Sequence, residues 1–175
     1  MSNYDWTAQF REIYQRAVET YRKGNRQPGS FFIGEDVRFL ASIGCTPQEL
    51  FDFVEDWCRF EEPHYDDVLL VTATRREYFL TVQKGRLSDT VIDMDRLPAK
   101  DDKLDGIAWL PRIIEKARAK LRGEMPPDLM YGCGGDRPFL RGANIHLADF
   151  LRVVWAAGED RDQIVRYVKQ QSGQR

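Results

Sequence analysis

Apolar residues recur at three- and four-residue steps along most of this chain, and that spacing predicts helices before anything else. Trp6, Phe10, Ile13, Tyr14, Ala17, Val18 and Tyr21 mark one face of a first helix. Asp5 precedes it and predicts an N-cap, because a carboxylate there accepts the free N–H groups of the first turn. Gly24 predicts its end, since glycine enters the left-handed conformation without a side-chain clash. Asn25 to Ser30, with Pro28 and Gly29, reads as a loop. A short helical turn over Glu35 to Ala41 follows, with Phe39 and Leu40 inward. Thr46-Pro47-Gln48-Glu49 is the sharpest local signal: threonine at the cap, proline next and glutamate at the third helical position make a capping box. The helix it opens is expected to bury Leu50, Phe51, Val54 and Trp57.

From Asp66 to Val82 two patterns compete. Val68, Leu69, Leu70, Val71, Thr72 and Thr74 favour a strand by propensity. Val68, Val71, Phe79 and Val82 nevertheless share a helical face, as do Leu69, Ala73 and Leu80, with Arg75-Arg76-Glu77 outside. The reading is helix, with a hairpin at Lys84-Gly85 as the alternative. Residues 84–104 carry many charges and few apolar anchors, and read as a linker. Helical spacing returns at Ile107, Leu110, Ile113, Ile114, Ala117 and Leu121, with Pro111 in the first turn and Gly123 at the end. Leu147, Phe150, Leu151, Val154 and Trp155 give another helix, stopped by Gly158. Ile164, Val165, Tyr167 and Val168 give the last.

The two halves overlay at an offset of one hundred residues. Ile13 falls on Ile113, Ala17 on Ala117, Gly34 on Gly134, Asp36 on Asp136, Phe39 on Phe139, Leu40 on Leu140 and Val54 on Val154. The expectation is an all-α protein of two pseudo-repeated helical units, 1–83 and 105–175, each a long helix followed by shorter helices.

Composition narrows the function classes. Apolar residues are 42% and charged residues 31% of 175, an ordinary globular balance. Twenty-six basic against twenty-eight acidic side chains leave a net charge of −2, which points to neither nucleic acid nor an anionic membrane. The start, Met1-Ser2-Asn3-Tyr4-Asp5-Trp6, lacks the basic and apolar regions of a signal peptide, and no apolar run is long enough to span a bilayer. Cys45, Cys58 and Cys133 form no CxxC pair, so neither a zinc site nor a disulfide framework is signalled. A reducing cytoplasm is the expected location. No cofactor, metal or membrane is implied.

The stretch Gly106-Ile107-Ala108-Trp109-Leu110-Pro111-Arg112, continuing to Gly123, with Tyr131, Cys133, Asp136, Phe139 and Leu140 downstream, resembles a bacterial family catalogued only as domain of unknown function 5069. The resemblance covers about residues 104–170, and the first half loosely. After Cys133 that family usually has Pro-Leu before the aspartate, where Gly134-Gly135 stands here. The resemblance implies a mostly helical fold and no activity.

Several residues invite chemistry. Asp36 and Asp136 could act as paired carboxylates; the favoured reading is that each caps the helix carrying Phe39 or Phe139. Tyr131-Gly132-Cys133-Gly134-Gly135-Asp136 is glycine-rich ahead of a helix, but lacks the phosphate-loop spacing, and a tight turn with positive φ is preferred. Cys133 reads as a buried small hydrophobe, since neither His64 nor His146 is tied to it. Arg112, Lys116, Arg118, Lys120 and Arg122 put five basic groups on one helix against Glu115, which suits phosphates but more often marks a solvated face. Glu49 to Asp67 is locally acidic, and the two patches suit docking of halves or of protomers.

With no nucleophile–base pair or metal set evident, the leading reading is a non-catalytic interaction or regulatory module. The alternative is a small-molecule or enzymatic site near the 131–136 loop, with Arg112, Lys116, Tyr131, Cys133 and Asp136 as binding residues and Arg112 gripping a carboxylate or phosphate. Nucleic-acid binding is a weaker third. A homodimer, or another protein, is the expected partner class.

Overall fold

The first predicted face closes as a helix in the computed structural model, which describes residues 4–173; the first three residues of the N-terminal stretch read above lie outside the described residues. Helix α1 (Trp6–Arg22) buries all seven expected apolar side chains. Asp5 precedes it but makes no side-chain cap bond, a correction with a local cause. Its φ of −98° and ψ of −10° are already helical, whereas a capping side chain swings back only from extended backbone.

Helix α2 (Glu35–Ser42) buries Phe39 and Leu40. The capping box then forms as the sequence predicts. The Glu49 amide donates to Thr46 Oγ1 at 3.1 Å and the Thr46 amide donates to Glu49 Oε2 at 2.9 Å. They open α3 (Pro47–Phe60), which packs on α1. Tyr21, Phe31 and Phe51 form an aromatic cluster there, Phe31 meeting Phe51 edge-on at 4.9 Å. Trp57 is only half-buried.

The contested stretch is helix α4 (Tyr65–Thr81). Its β-branched run loses to packing, because Val68, Val71, Thr72 and Phe79 are all buried at helical spacing. Val82 lies just past the helix end and is exposed. Arg75, placed outside by its charge, is fully buried. Its guanidinium donates to Gln83 Oε1 at 2.8 Å and lies 5.4 Å from the Phe79 ring centre.

The chain divides into two compact units between Leu87 and Ser88. The second begins with the charged stretch. There the Ser88 and Thr90 hydroxyls both donate to Glu124 Oε1 at 3.0 Å, Arg122 Nε donates to Oε2 at 2.7 Å, and the Ile92 amide donates to the Glu124 carbonyl at 3.0 Å. Burial pushes the Glu124 carboxyl up, but these hydrogen bonds and the Arg122 charge outweigh it and hold it below its ordinary value.

Strands β1 (Lys103–Leu104) and β2 (Ile107–Ala108) pair antiparallel around Asp105-Gly106, whose φ angles of 51° and 80° are the two positive values of a type I′ hairpin turn. Ile107, read as the first anchor of a helix, is therefore in a strand. Helix α5 (Leu110–Arg122) starts after it, with Pro111 in its first turn and Gly123 (φ 72°) at its C-cap. Helices α6 (Asp136–Gly142), α7 (Leu147–Ala157) and α8 (Arg161–Gln171) complete the unit. Helix α7 packs against α5, α6 and α8. Among the described residues the protein is mostly α-helical, with this one two-stranded pair.

Local details recur at an offset of one hundred. Helices α3 and α7 start at Pro47 and Leu147. The turns before them place Gly44 at φ 72° and Asn144 at φ 56°. The Cys45 amide donates to Leu40 O at 3.0 Å, and the Ile145 amide to Leu140 O at 2.9 Å.

Candidate functional site

Helix α5 does not turn its basic run to water. Lys116, Arg118 and Lys120 are 2%, 7% and 3% exposed, a correction to the solvated-face reading and to any continuous basic face on this helix. Charged groups survive such burial only when paired and hydrogen-bonded. Lys116 Nζ meets Asp136 Oδ2 at 2.5 Å, and both side chains are sealed from solvent.

Asp136 is the hub of this cluster. Besides Lys116, it accepts from the Gly132 amide at 2.9 Å on Oδ2 and from Trp109 Nε1 at 2.9 Å on Oδ1. It therefore does not cap α6: Gly135 holds the N-cap position, and no side-chain cap bond is made. Asp36 departs from the capping reading in the same way, pairing with Arg16 at 2.6 Å while Gly34 stands at the cap of α2. Each aspartate lies inside the first turn, and a cation on the preceding long helix takes its carboxylate instead.

Trp109 reaches Asp136 because its backbone is left-handed, φ 70° and ψ −25°, at the N-cap of α5. That conformation costs a non-glycine residue about 1–2 kcal/mol. Gly135 must be glycine for the same contact: a Cβ there would lie 2.4 Å from Cζ2 of the indole. Gly132, at φ 86°, supplies the positive-φ turn that the glycine-rich stretch predicts. Arg137 closes the loop by donating to Gly132 O at 2.8 Å.

The other predicted site residues divide. Cys133 is partly exposed rather than buried, with its Sγ 3.2 Å from Lys116 Nζ. Tyr131 is 1% exposed and donates its hydroxyl to Leu147 O at 2.7 Å. Burial pushes its phenol well above the ordinary value, and the negative charges of Asp136 and Asp149 add to that. Arg112 turns elsewhere, donating to Pro98 O at 2.6 Å. Lys116, Cys133 and Asp136 thus meet, with Tyr131 within their electrostatic reach, and Arg112 serves the 91–98 segment.

That segment walls a cleft of about 660 Å³ which sequence reasoning passed over. Val91, Ile92, Leu97 and Pro98 supply its apolar side. Its charged lining, Asp93, Arg96, Glu115, Arg118, Glu159 and Arg161, is three acids and three arginines. Glu115 Oε1 accepts from Arg118 at 3.0 Å and from Arg161 at 2.7 Å. The second amino nitrogen of Arg118, Nη2, donates to Gly158 O at 2.7 Å and lies 3.1 Å from Glu159 Oε2. Arg118 was hidden by its place in a basic run. Glu115 was the only signal, being the single acid in that run.

Among the described residues no group of three histidine, cysteine or acidic side chains comes together to hold a metal ion. No helix of the described residues is long and apolar enough to cross a membrane. No curated protein and no solved structure matches this chain. Its second half does find a counterpart: residues 96–175, which carry the hairpin, the Asp136 cluster, all of the cleft's charged lining but Asp93, and helices α5 to α8, match the family model of the domain of unknown function DUF5069.

Proposed function

We propose that this protein is a non-catalytic recognition module of the bacterial cytoplasm, and that it binds through the cleft between residues 91–98, α5 and the start of α8. The observation that carries this reading is how the charges are disposed. Both oxygens of Asp136 are engaged by donors of its own unit and its side chain is closed to solvent, so it does not face a ligand. The cleft is open, and its volume of about 660 Å³ lies within the range of small-molecule sites. Its lining holds no serine, cysteine, histidine, lysine or tyrosine, and Glu115 is held by two guanidinium groups. Recognition fits this better than proton transfer or nucleophilic attack.

A second reading keeps the cleft and makes the partner a protein, either a second copy or another chain. It is favoured by Val91 and Met94, which are 62% and 40% exposed beside the cleft. We also infer that the two units arose by duplication. The coincident starts of α3 and α7, the matching turns at Gly44 and Asn144, and the ion pairs Arg16–Asp36 and Lys116–Asp136 at identical offset support that reading.

The test is a titration of isotope-labelled protein with a fragment library, read by amide shifts. Fragments that move the amides of 91–98, 115–118 and 158–161 support the cleft. Fragments that move only the 131–136 loop, or that are chemically converted, contradict it.

A further inference from the structure

Resting on that reading of the cleft, we propose that its ligand is a small organic anion, a carboxylate or phosphate ester on an apolar body, which displaces Glu159 and is gripped by Arg118 and Arg161. Arg118 is the reason. Its side chain is 92% buried, its Nη1 donates to Glu115, and one Nη2 hydrogen is taken by Gly158 O. Its Nε is shielded from solvent and has no acceptor. A buried donor without a partner is costly, and it marks a place where an acceptor belongs. The Nε and Nη2 hydrogens lie along one edge of a planar guanidinium, and that edge matches two oxygens of a carboxylate or phosphate.

Glu159 occupies this edge only in part. Its carboxylate reaches Nη2 at 3.1 Å and leaves Nε empty, while the side chain is 87% exposed. An exposed partner of this kind is held weakly. It stands in for the ligand, and its departure uncovers a dry cation. Arg161, already within 2.7 Å of Glu115 and 46% exposed, supplies the second positive group at the same end. Glu115 balances one of the two arginines, so the floor carries one net positive charge once Glu159 leaves. One anionic head is therefore favoured over two. Val91, Ile92, Leu97 and Pro98 then cover the apolar body.

The experiment titrates the full chain with hexanoate, hexyl phosphate, inorganic phosphate and the neutral hexanamide, following amides 91–98 and 158–161. Hexanoate or hexyl phosphate is expected to shift them and hexanamide is not. Whichever of the two binds more tightly identifies the head group. Tighter binding of inorganic phosphate than of either would overturn the apolar-body half of the proposal. Glu159→Gln removes the stand-in and is expected to tighten anion binding about two- to fivefold, the worth of an exposed ion pair. Arg161→Gln is expected to weaken it about tenfold, and Arg118→Met to abolish it. Because Arg118→Met removes buried contacts and could unfold the unit, the Glu159 and Arg161 variants carry the decision. Hexanamide binding in the cleft as tightly as hexanoate, or Glu159→Gln weakening the anion, overturns the anion assignment while leaving the cleft in place. If the fragment library and these four probes all leave the cleft amides unmoved, the cleft reading itself fails.

Discussion

Arg16–Asp36 in the first unit and Lys116–Asp136 in the second occupy positions one hundred residues apart and have nearly equal lengths, 2.6 and 2.5 Å. Their surroundings differ. The first pair's side chains are 56% and 23% exposed, the second's 2% and 0%. The difference teaches that an ion pair takes its energetic role from its solvent. In water the pair competes with hydration and is worth about 0–1 kcal/mol. In the interior each charge has lost its water, so removing one partner strands the other at a cost of about 3–5 kcal/mol. Asp36 ties α2 to α1 at a partly exposed position, whereas Asp136 joins α5, the 131–135 loop and α6.

The largest effect expected from this contrast is at Asp136. Asp136→Ala should lower the stability of the second unit by about 3–5 kcal/mol, read as lost hydrogen-exchange protection in α5 and α7. The first unit's amides should stay protected. Equal loss in both units would erase the distinction between them.

Next comes Trp109→Phe, which keeps the ring against Gly135 but removes the donor to Asp136 Oδ1. Leaving that oxygen unfilled should cost about 1–3 kcal/mol in urea unfolding. A variant as stable as the wild type would show that Asp136 does not need its third donor.

Glu124 gives a smaller, pH-dependent effect. Its folded-state value is held below the ordinary 4.5, so it contributes stability above that pH and loses it as pH falls through the lower folded value. Glu124→Gln should therefore be about 1–2 kcal/mol less stable than the wild type at neutral pH, with the gap closing below about pH 4.5. A gap that stays constant with pH would contradict the ionic role. The smallest effect is at Asp36→Ala, where thermal unfolding should shift by no more than about 1 kcal/mol.

What the sequence made legible was local. The capping box at Thr46 and Glu49 lies within one helical turn, so residue types alone specify it. The helix at 65–81 was legible from its period even though propensity argued for a strand. The hairpin at 103–108 had a signal, Asp105-Gly106, but its two-residue strands are too short to show alternation. Polar tertiary contacts were not legible. An aspartate ahead of a helix has the same sequence signature whether it caps the helix or reaches Lys116, and a basic run looks solvated whether or not its helix is enclosed. The cleft was missed because residues 88–104 are charged and read as linker, although Val91, Ile92, Leu97 and Pro98 all line it.

The most direct test is a pair of double-mutant cycles, Lys116→Met with Asp136→Leu and Arg16→Met with Asp36→Leu, measured by urea unfolding with hydrogen exchange to assign each loss to its unit. Either single change at 116 or 136 should be strongly destabilising and the double should recover much of the loss, a coupling of several kcal/mol. At 16 and 36 the coupling should be below about 1 kcal/mol. Additive changes at 116 and 136, with no recovery in the double variant, would contradict this contrast.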